Sequence, residues 1–491
     1  MTVTRTPISK PVQETAGENP PRSNDHSRRS VSEVVIVANR FPVQKADDDE
    51  GGGWKASPGG LVSALEPVLN ERECTWIGWY DGDDKLPASI RVGNMNAVPV
   101  ALSAEEIKTY YEGFSNGTLW PLYHGGIRPA EFHRHWWHPY VHVNARYAAI
   151  AAEHVAPKGM VWVHDYQLQL VPGMLRELRP DIRIGFFLHI PFPPTELFSQ
   201  LPWRKKILEG LLGADVVGFQ RSLGAENFAQ LARRFNNAQG PRVALKYNNR
   251  TIHVGPFPIS IDFERYDGIA RLPEVKQRTT RFQHRLSGHR KILLGVDRLD
   301  YTKGIDARLK AFRELLRSDK EMADKCVLVQ VAVPSRERVP EYKKMRATIE
   351  RLVGEINGEY GELGRTPVHY FRRSLQPNEL VALYGAADVM IVTPFQDGMN
   401  LVAKEYVASR IDGTGVLLLS EFAGSADELK SALHVNPHDI DDLTSAMKTA
   451  IGMPLAEQKR RMHALRRVVK RNDVFNWAKR FFEELNNAMP A

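Results

Sequence analysis

Short apolar runs recur along almost the whole chain, and each is followed by a stretch with helical spacing. EVVIVANR (Glu33–Arg40), MVWVHD (Met160–Asp165), IRIGFFLHI (Ile182–Ile190) and DVVGFQ (Asp215–Gln220) read as strands. They lack the strict apolar–polar alternation of a half-exposed sheet, so they predict strands covered on both faces, as in a parallel sheet. Helical stretches lie between them. SAEEIKTYYEGF (Ser103–Phe114) opens with a Ser-x-x-Glu capping box, and SLGAENFAQLARRFN (Ser222–Asn236) is another. After about Arg290 the pattern restarts with KILLGV, the helix IDARLKAFRELLRS (Ile305–Ser318), the strand CVLVQVAV (Cys326–Val333) and a long helix from Pro340. PVHYF (Pro367–Phe371) and DVMIVTP (Asp388–Pro394) continue it. Repeated strand–helix alternation predicts an α/β chain of two doubly wound domains, and 491 residues are too many for one ordinary core. Gly/Pro-rich VGPFPISID (Val254–Asp262) is the expected junction.

Residues 1–30 carry almost no large apolar side chains and much Pro, Ser and charge, which predicts a disordered extension. That extension lacks the apolar centre of a signal peptide, and no stretch reaches the length of a membrane span. Two cysteines far apart, Cys74 and Cys326, form neither a disulfide framework nor a zinc site. A cytoplasmic protein is expected. The formal net charge of +8 favours anionic partners, nucleic acid or phosphorylated metabolites. The cations are scattered, and the densest run, KRRMHALRRVVKR (Lys459–Arg471), reads as one solvated helix face.

In doubly wound sheets ligands gather beyond the carboxyl ends of the strands. ILLGVDRLDYTKGI (Ile292–Ile305) ends a buried strand and at once places Arg298 and Lys303 at its tip. A guanidinium offers paired donors to phosphate oxygens, and an ammonium adds a point charge. Taken alone, the pair reads as solvated loop cations. In VTPFQDGMNLVAKEYVASR (Val392–Arg410) a strand ends near Pro394, Asp397-Gly398 makes a turn, and a helix starts near Asn400 or Leu401. The first N–H groups of that helix suit an anion. Glu405, one turn in, suits two vicinal hydroxyls such as a ribose carries, and Asp397 suits a sugar ring. In the amino half, Gly59-Gly60 stand at a helix start, Arg40 ends the first strand, and His189 and Asp165 end two others. His189 as a satisfied core histidine, and Asp397 and Glu405 as turn and surface residues, stay open on residue type alone. His138 and His142 could share a helix face, but Pro139 between them and the lack of nearby carboxylates argue against a metal. The acidic run Asp47–Glu50 reads as a solvated loop.

YYEGFSNGTLWPLYH, VWVHDYQL, FFLHIPFPPTELF, VDRLDYTKG and TPFQDGMNLVAKEY, in this order along the chain, resemble the signature blocks of the trehalose-6-phosphate synthase family of retaining glycosyltransferases. The resemblance spans Val34 to Met489. It implies the GT-B fold, two Rossmann-like domains facing a cleft. Residues 31–260, completed by a final helix within 473–491, would hold the acceptor, and 261–472 the nucleotide sugar. It implies transfer of glucose from a nucleoside-diphosphate glucose to glucose 6-phosphate. Position by position, it implies that Arg298 and Lys303 bind the donor diphosphate, Glu405 the ribose, and Asp397 with the Gly398, Met399, Asn400, Leu401 and Val402 backbone the donor glucose and phosphate. His189 would contact the donor sugar, and Gly59 and Gly60 would belong to a loop closing over it. Arg40, Tyr111, Trp120 and Arg336 match acceptor contacts, and Trp79 and Asp165 further sugar-side positions. Arg298, Lys303, His189 and Asp165 would be the catalytic set, acting without a carboxylate nucleophile. The partners implied are small molecules, with no metal and no cofactor beyond the nucleotide sugar, no nucleic acid and no membrane. Assembly as a dimer or tetramer is compatible with this. A phosphorylated polyol as acceptor and a silent regulatory subunit of the same fold are the alternatives. The donor's base is not readable.

Overall fold

The computed structural model describes residues 31–45, 54–56, 62, 65, 73–81, 87–319, 321–336 and 339–488. The predicted disordered extension, the acidic run Asp47–Glu50 and the glycines Gly59 and Gly60 lie outside the described residues.

Among the described residues the chain forms a nine-stranded sheet followed by a six-stranded one. In the first, Ser32–Arg40 lies in the middle. Cys74–Trp79 and Met95–Val100 extend the sheet on one side, and Val155–His164, Arg183–Leu188, Val216–Phe219 and Arg250–Pro256 on the other. All of these pairings are parallel, and only the two edge strands, Ile90–Val92 and Ala244–Tyr247, pair antiparallel. The second sheet is parallel throughout, with Lys291–Arg298 and Val389–Val392 side by side at its centre. Val35, Ile36 and Val37 are all fully buried although neighbours on a strand point to opposite faces. Burial on both faces is why these runs carry no alternation.

The predicted helices Ser222–Asn236 and Ile305–Ser318 and the strand Cys326–Val333 have the predicted bounds. Lys459–Arg471 falls within the helix Leu455–Arg471, whose buried residues are Met462, Leu465 and Val469. Two local expectations differ. The Ser103 capping box is present, but the helix it opens widens into π-helical turns over Ile107–Leu119. The strand predicted to end at His189 stops at Leu188, because an apolar run does not say where pairing ends.

The last helix, Val474–Asn487, returns to the first sheet. Phe481 stacks on Trp162 and Trp477 packs tilted against it, with ring centroids 4.3 and 5.0 Å away. A Cβ at Gly218 would meet the rings of Phe187 and Phe481 at 2.8 Å, so a glycine there lets this helix seat.

Candidate active site

Among its parallel strands each sheet reverses its order once. In the first the reversal falls between Ser32–Arg40 and Val155–His164, and in the second between Lys291–Arg298 and Val389–Val392. Such switch points are where open α/β sheets bind ligands. Both reversals open into one cavity of ≈ 600 Å³. Arg40, Tyr111, Trp120, Asp165 and His189 line it from the first sheet's side, and Arg298, Lys303, Arg336, Asp397, Met399, Asn400, Leu401, Val402 and Glu405 from the second's. Trp79 instead lines an adjoining cavity of ≈ 330 Å³ that shares Arg40, Tyr111 and Arg336 with the first.

On the wall of the second sheet, the helix starts at Leu401 with Asn400 as its cap. The Asn400 side-chain oxygen accepts from the Ala403 N–H, and its amide nitrogen donates to Asp397 Oδ2 at 3.2 Å. Lys303 Nζ donates to the same oxygen at 2.5 Å. Burial pushes the Asp397 carboxyl up, but the attraction of Lys303 outweighs it and holds the group below the usual carboxylate range. Both bonds fall on Oδ2, which leaves Oδ1 for another partner. An ammonium has three donors, so Lys303 keeps two. Glu405 accepts from the hydroxyls of Tyr384, at 2.8 Å, and Tyr266, and burial raises its pKa. The Arg298 side chain makes no hydrogen bond or ion pair with any described residue. Its guanidinium lies over the Trp120 ring at 5.6 Å. Its neighbour Asp297 is already neutralised by the buried Arg308 at 2.6 Å. Arg298 is therefore a cation left available for an anion.

The cavity also carries two arginines on aromatic faces, Arg40 from the first sheet's side and Arg336 from the second's. Arg336 stacks on Trp120 at 3.9 Å, and Arg40 lies over Trp79 and Tyr111 at 5.1 and 5.3 Å. Asp300 Oδ2 holds Arg336 at 2.9 Å, and the hydroxyls of Tyr342 and Tyr166 accept from it at 2.6 and 3.1 Å. Asp300 is fully buried. Desolvation raises its pKa, but Arg336, Arg298 and Lys303 bring it down to about 2. Arg40 donates to Asp81 at 3.0 Å and to the Tyr111 hydroxyl at 3.3 Å. The two guanidiniums thus flank the seam between the two cavities.

At the tips of the central strands, Asp165 takes φ 75° and ψ 170°. It is one of three cavity residues, with Arg336 and Asn400, among the eight non-glycine residues of positive φ in the described chain, so backbone strain concentrates at this site. Asp165 ties two strand ends together. Its N–H donates to the Phe187 carbonyl at 2.8 Å, and its Oδ1 accepts from the His189 N–H at 3.2 Å. Burial raises its carboxyl to about 6 and lowers His189 to about 3. Gly398 packs against the His189 carbonyl from the other sheet's side. The sides are also pinned at the rim, by Arg221 on Asp427 at 2.7 Å and Arg128 on Glu341 at 3.0 Å.

Reading by residue type missed Asp300, Tyr342 and Tyr166, which set Arg336, and His164, which faces His189. Asp300 and His164 stand inside blocks already singled out, VDRLDYTKG and VWVHDYQL, one or two residues from an assigned position. Among the described residues no group of three or more His, Cys, Asp or Glu side chains is placed to hold a metal ion, and no helix is long and apolar enough to cross a membrane.

Residues 32–487 match glycosyltransferase family 20. The chain is 52% identical over 475 residues to the trehalose-6-phosphate synthase of Mycolicibacterium smegmatis, covering 95% of this chain and 94% of that protein. The fold superposes with a TM-score of 0.85 on a UDP-forming α,α-trehalose-phosphate synthase from Burkholderia xenovorans in complex with glucose 6-phosphate, at 33% identity over 92% of this chain and 100% of the other. With the E. coli enzyme bound to UDP-2-fluoro glucose the TM-score is 0.84, at 33% identity over 93% and 100%.

Proposed function

The chain belongs to glycosyltransferase family 20, with the two-sheet GT-B architecture, and on that footing we propose that it makes α,α-trehalose 6-phosphate from a nucleoside-diphosphate glucose and glucose 6-phosphate, with retention. The observation that carries this reading is Arg298. It is a guanidinium without a carboxylate partner that lines one cavity with the start of the Leu401 helix and with Arg40 and Arg336.

In this reading Arg298, the remaining donors of Lys303 and the first N–H groups of the Leu401 helix hold the donor diphosphate. Glu405 takes the ribose hydroxyls, and Asp397 Oδ1 and His189 the donor glucose. Arg40 and Arg336 clamp the acceptor phosphate at the seam of the two cavities. Trp120 and Tyr111 give the acceptor hexose flat faces, with Trp79 and Asp165 beside it. A hexose fills such faces and a three-carbon polyol does not, which favours the sugar phosphate as acceptor.

The bond between C1 and the phosphate oxygen breaks, and its electron pair stays on that oxygen. Fixed cations there stabilise the transition state more than the ground state. The acceptor's anomeric hydroxyl attacks C1 on the face the phosphate leaves, and its proton passes to the departing phosphate oxygen. Asp165 is engaged by backbone N–H groups and Asp397 by Lys303 and Asn400, which supports positioning roles for both rather than nucleophilic attack. The nucleotide sugar is the one co-substrate this reaction requires. The two buried free thiols support a cytoplasmic setting. The substrates are small molecules, no nucleic acid or membrane takes part, and a dimer or tetramer is compatible with the chemistry.

The test is a donor-by-acceptor activity matrix on the purified protein, with UDP-, ADP- and GDP-glucose against glucose 6-phosphate and glycerol 3-phosphate, alongside Arg298→Ala. Turnover is expected with glucose 6-phosphate, and a loss of about 10²–10³-fold in the variant with its thermal midpoint unchanged. Near-parental turnover in Arg298→Ala, or a preference for glycerol 3-phosphate, overturns the reading.

A further inference from the structure

His164 ends the strand Val155–His164 and is fully buried. Its Nδ1 lies 3.1 Å from Nε2 of His189. A hydrogen bond between two imidazoles needs one N–H and one lone pair, so the pair has two proton arrangements. Burial lowers His189 to about 3, and burial together with the facing His189 lowers His164 well below the ordinary histidine range. Each ring therefore carries one proton at neutral pH.

If His189 Nε2 held its ring's proton, His164 Nδ1 would accept it and His164 Nε2 would carry the other hydrogen. That Nε2 is buried without a hydrogen-bond partner. It sits among rings, with Trp162 at 4.6 Å and Phe187 at 6.4 Å between centroids. Buried N–H groups without an acceptor are rare, because they forfeit a bond to water and gain nothing. This wall already holds one such donor, Trp162 Nε1. In the opposite arrangement His164 Nδ1–H donates to His189 Nε2, and only a ring lone pair faces the wall.

We infer that His164 is a positioning residue that fixes His189 as the Nδ1–H tautomer, so that the cleft meets a hydrogen-bond donor there. His189 Nδ1 makes no hydrogen bond with any described residue, and His189 lines the ≈ 600 Å³ cavity. A donor at that place suits a hexose hydroxyl or a phosphate oxygen, and it cannot serve a group that must itself donate. The consequence for catalysis rests on the reading that His189 faces the donor sugar; the tautomer does not.

Nitrogen NMR of the full chain with ¹⁵N-labelled histidine, free of substrate at neutral pH, reads the tautomer directly. A protonated Nδ1 and bare Nε2 at His189 are expected, and a protonated Nε2 overturns the inference. Two variants supply the functional readout. His164→Asn keeps an amide N–H near the place of Nδ1, whereas His164→Phe removes it. His164→Asn is expected to keep the tautomer and the donor KM within about threefold. His164→Phe should mix the tautomers and raise the donor KM about tenfold with the acceptor KM unchanged. A His164→Phe protein that keeps both the single tautomer and the donor KM overturns the inference. Should the wild-type spectrum show Nδ1–H while His189→Ala leaves the donor KM unmoved, the tautomer stands and the placing of His189 on the donor sugar falls.

Discussion

A Cβ built on Gly398 would fall 2.0 Å from the carbonyl oxygen of His189, so the two walls of the cleft meet backbone to backbone there. Neither atom is the end of a flexible side chain, so Gly398→Ala fits only if the loops part. A displacement of about 1 Å in the reacting groups can cost 10²-fold in rate. The variant is expected to lose about 10²-fold in kcat/KM while keeping a cooperative thermal transition. Steady-state kinetics beside calorimetry check this, and parental kinetics would mean the contact is not transmitted to the chemistry.

Arg336 meets four groups at once: the Trp120 face, Asp300, Tyr342 and Tyr166. Lysine keeps the charge but neither stacks as a plane nor forks. Arg336→Lys is expected to raise the KM for glucose 6-phosphate by about 10–100-fold and to leave the KM for the nucleotide sugar within about twofold. Equal effects on both substrates would place Arg336 outside the acceptor site.

Much of this was legible because periodicity and strand ends are local signals. Ile305–Ser318, Cys326–Val333 and the helix start at Leu401 follow from residues within one turn of each other. The strand-tip residues Arg298 and Asp397 were legible for the same reason. What supports them was not. Asp300 and Tyr166 reach Arg336 across 36 and 170 residues of sequence, a pairing that no window of sequence contains. The π-helical widening at Ile107–Leu119 follows an ordinary capping box, so propensity predicted a regular helix there. The separation of Trp79 into the smaller cavity depends on where the second sheet's Pro334–Arg336 segment passes, which the first sheet's own sequence does not encode.

The buried ionisable groups in and around the cavity, among them His124 packed on Trp120 at 4.1 Å, predict acid lability. His189 and His124 are lowered by burial to about 3 and 4, and His164 is lowered too. Their folded pKa values lie below the unfolded one, about 6.5. Their contribution is therefore complete above about pH 6.5 and is lost as pH falls through 4 and 3. Asp300, at about 2, acts in the same direction below the unfolded carboxylate value of about 3.9. Calorimetry at pH 7.5, 6 and 5 should show a falling thermal midpoint. A flat profile would contradict the neutral, buried state of these rings.

Asp165 runs the other way, and this separates it from the rest. Burial raises its carboxyl to about 6. Its contribution is present below about pH 3.9 and lost as pH rises through 6, so the ionised group weighs against folding at neutral pH. A shift of this size corresponds to about 2–3 kcal/mol. Asp165→Asn keeps an oxygen for the His189 N–H, and asparagine tolerates positive φ. The variant is expected to be more stable than the parent at pH 7.5 by about 1–2 kcal/mol, with the gain shrinking toward pH 5. Denaturant titrations at the two pH values check the sign, and a loss of stability at pH 7.5 would refute it.

Lys404 is almost fully buried in the Leu401 helix, with its ammonium between Glu428, at 2.5 Å, and the Ile259 carbonyl, at 2.9 Å. The Ile259 N–H donates to Gln220 of the first sheet's side at 2.9 Å. One peptide segment is thus held from both walls, and its two anchors adjoin the cavity lining. Lys404→Met removes a charge and leaves the largely buried Glu428 with only the Asn472 amide at 3.0 Å as compensation. Stranding one member of a buried ion pair costs about 3–5 kcal/mol, far more than the pair's net worth against an uncharged replacement. The single variant is therefore expected to lose about 3–5 kcal/mol in urea unfolding, and the double variant Lys404→Met, Glu428→Gln to recover more than half of it. If the double variant is no more stable than the single, the stranded carboxylate is not the cause, and the loss belongs instead to the freed Ile259 carbonyl between the two walls.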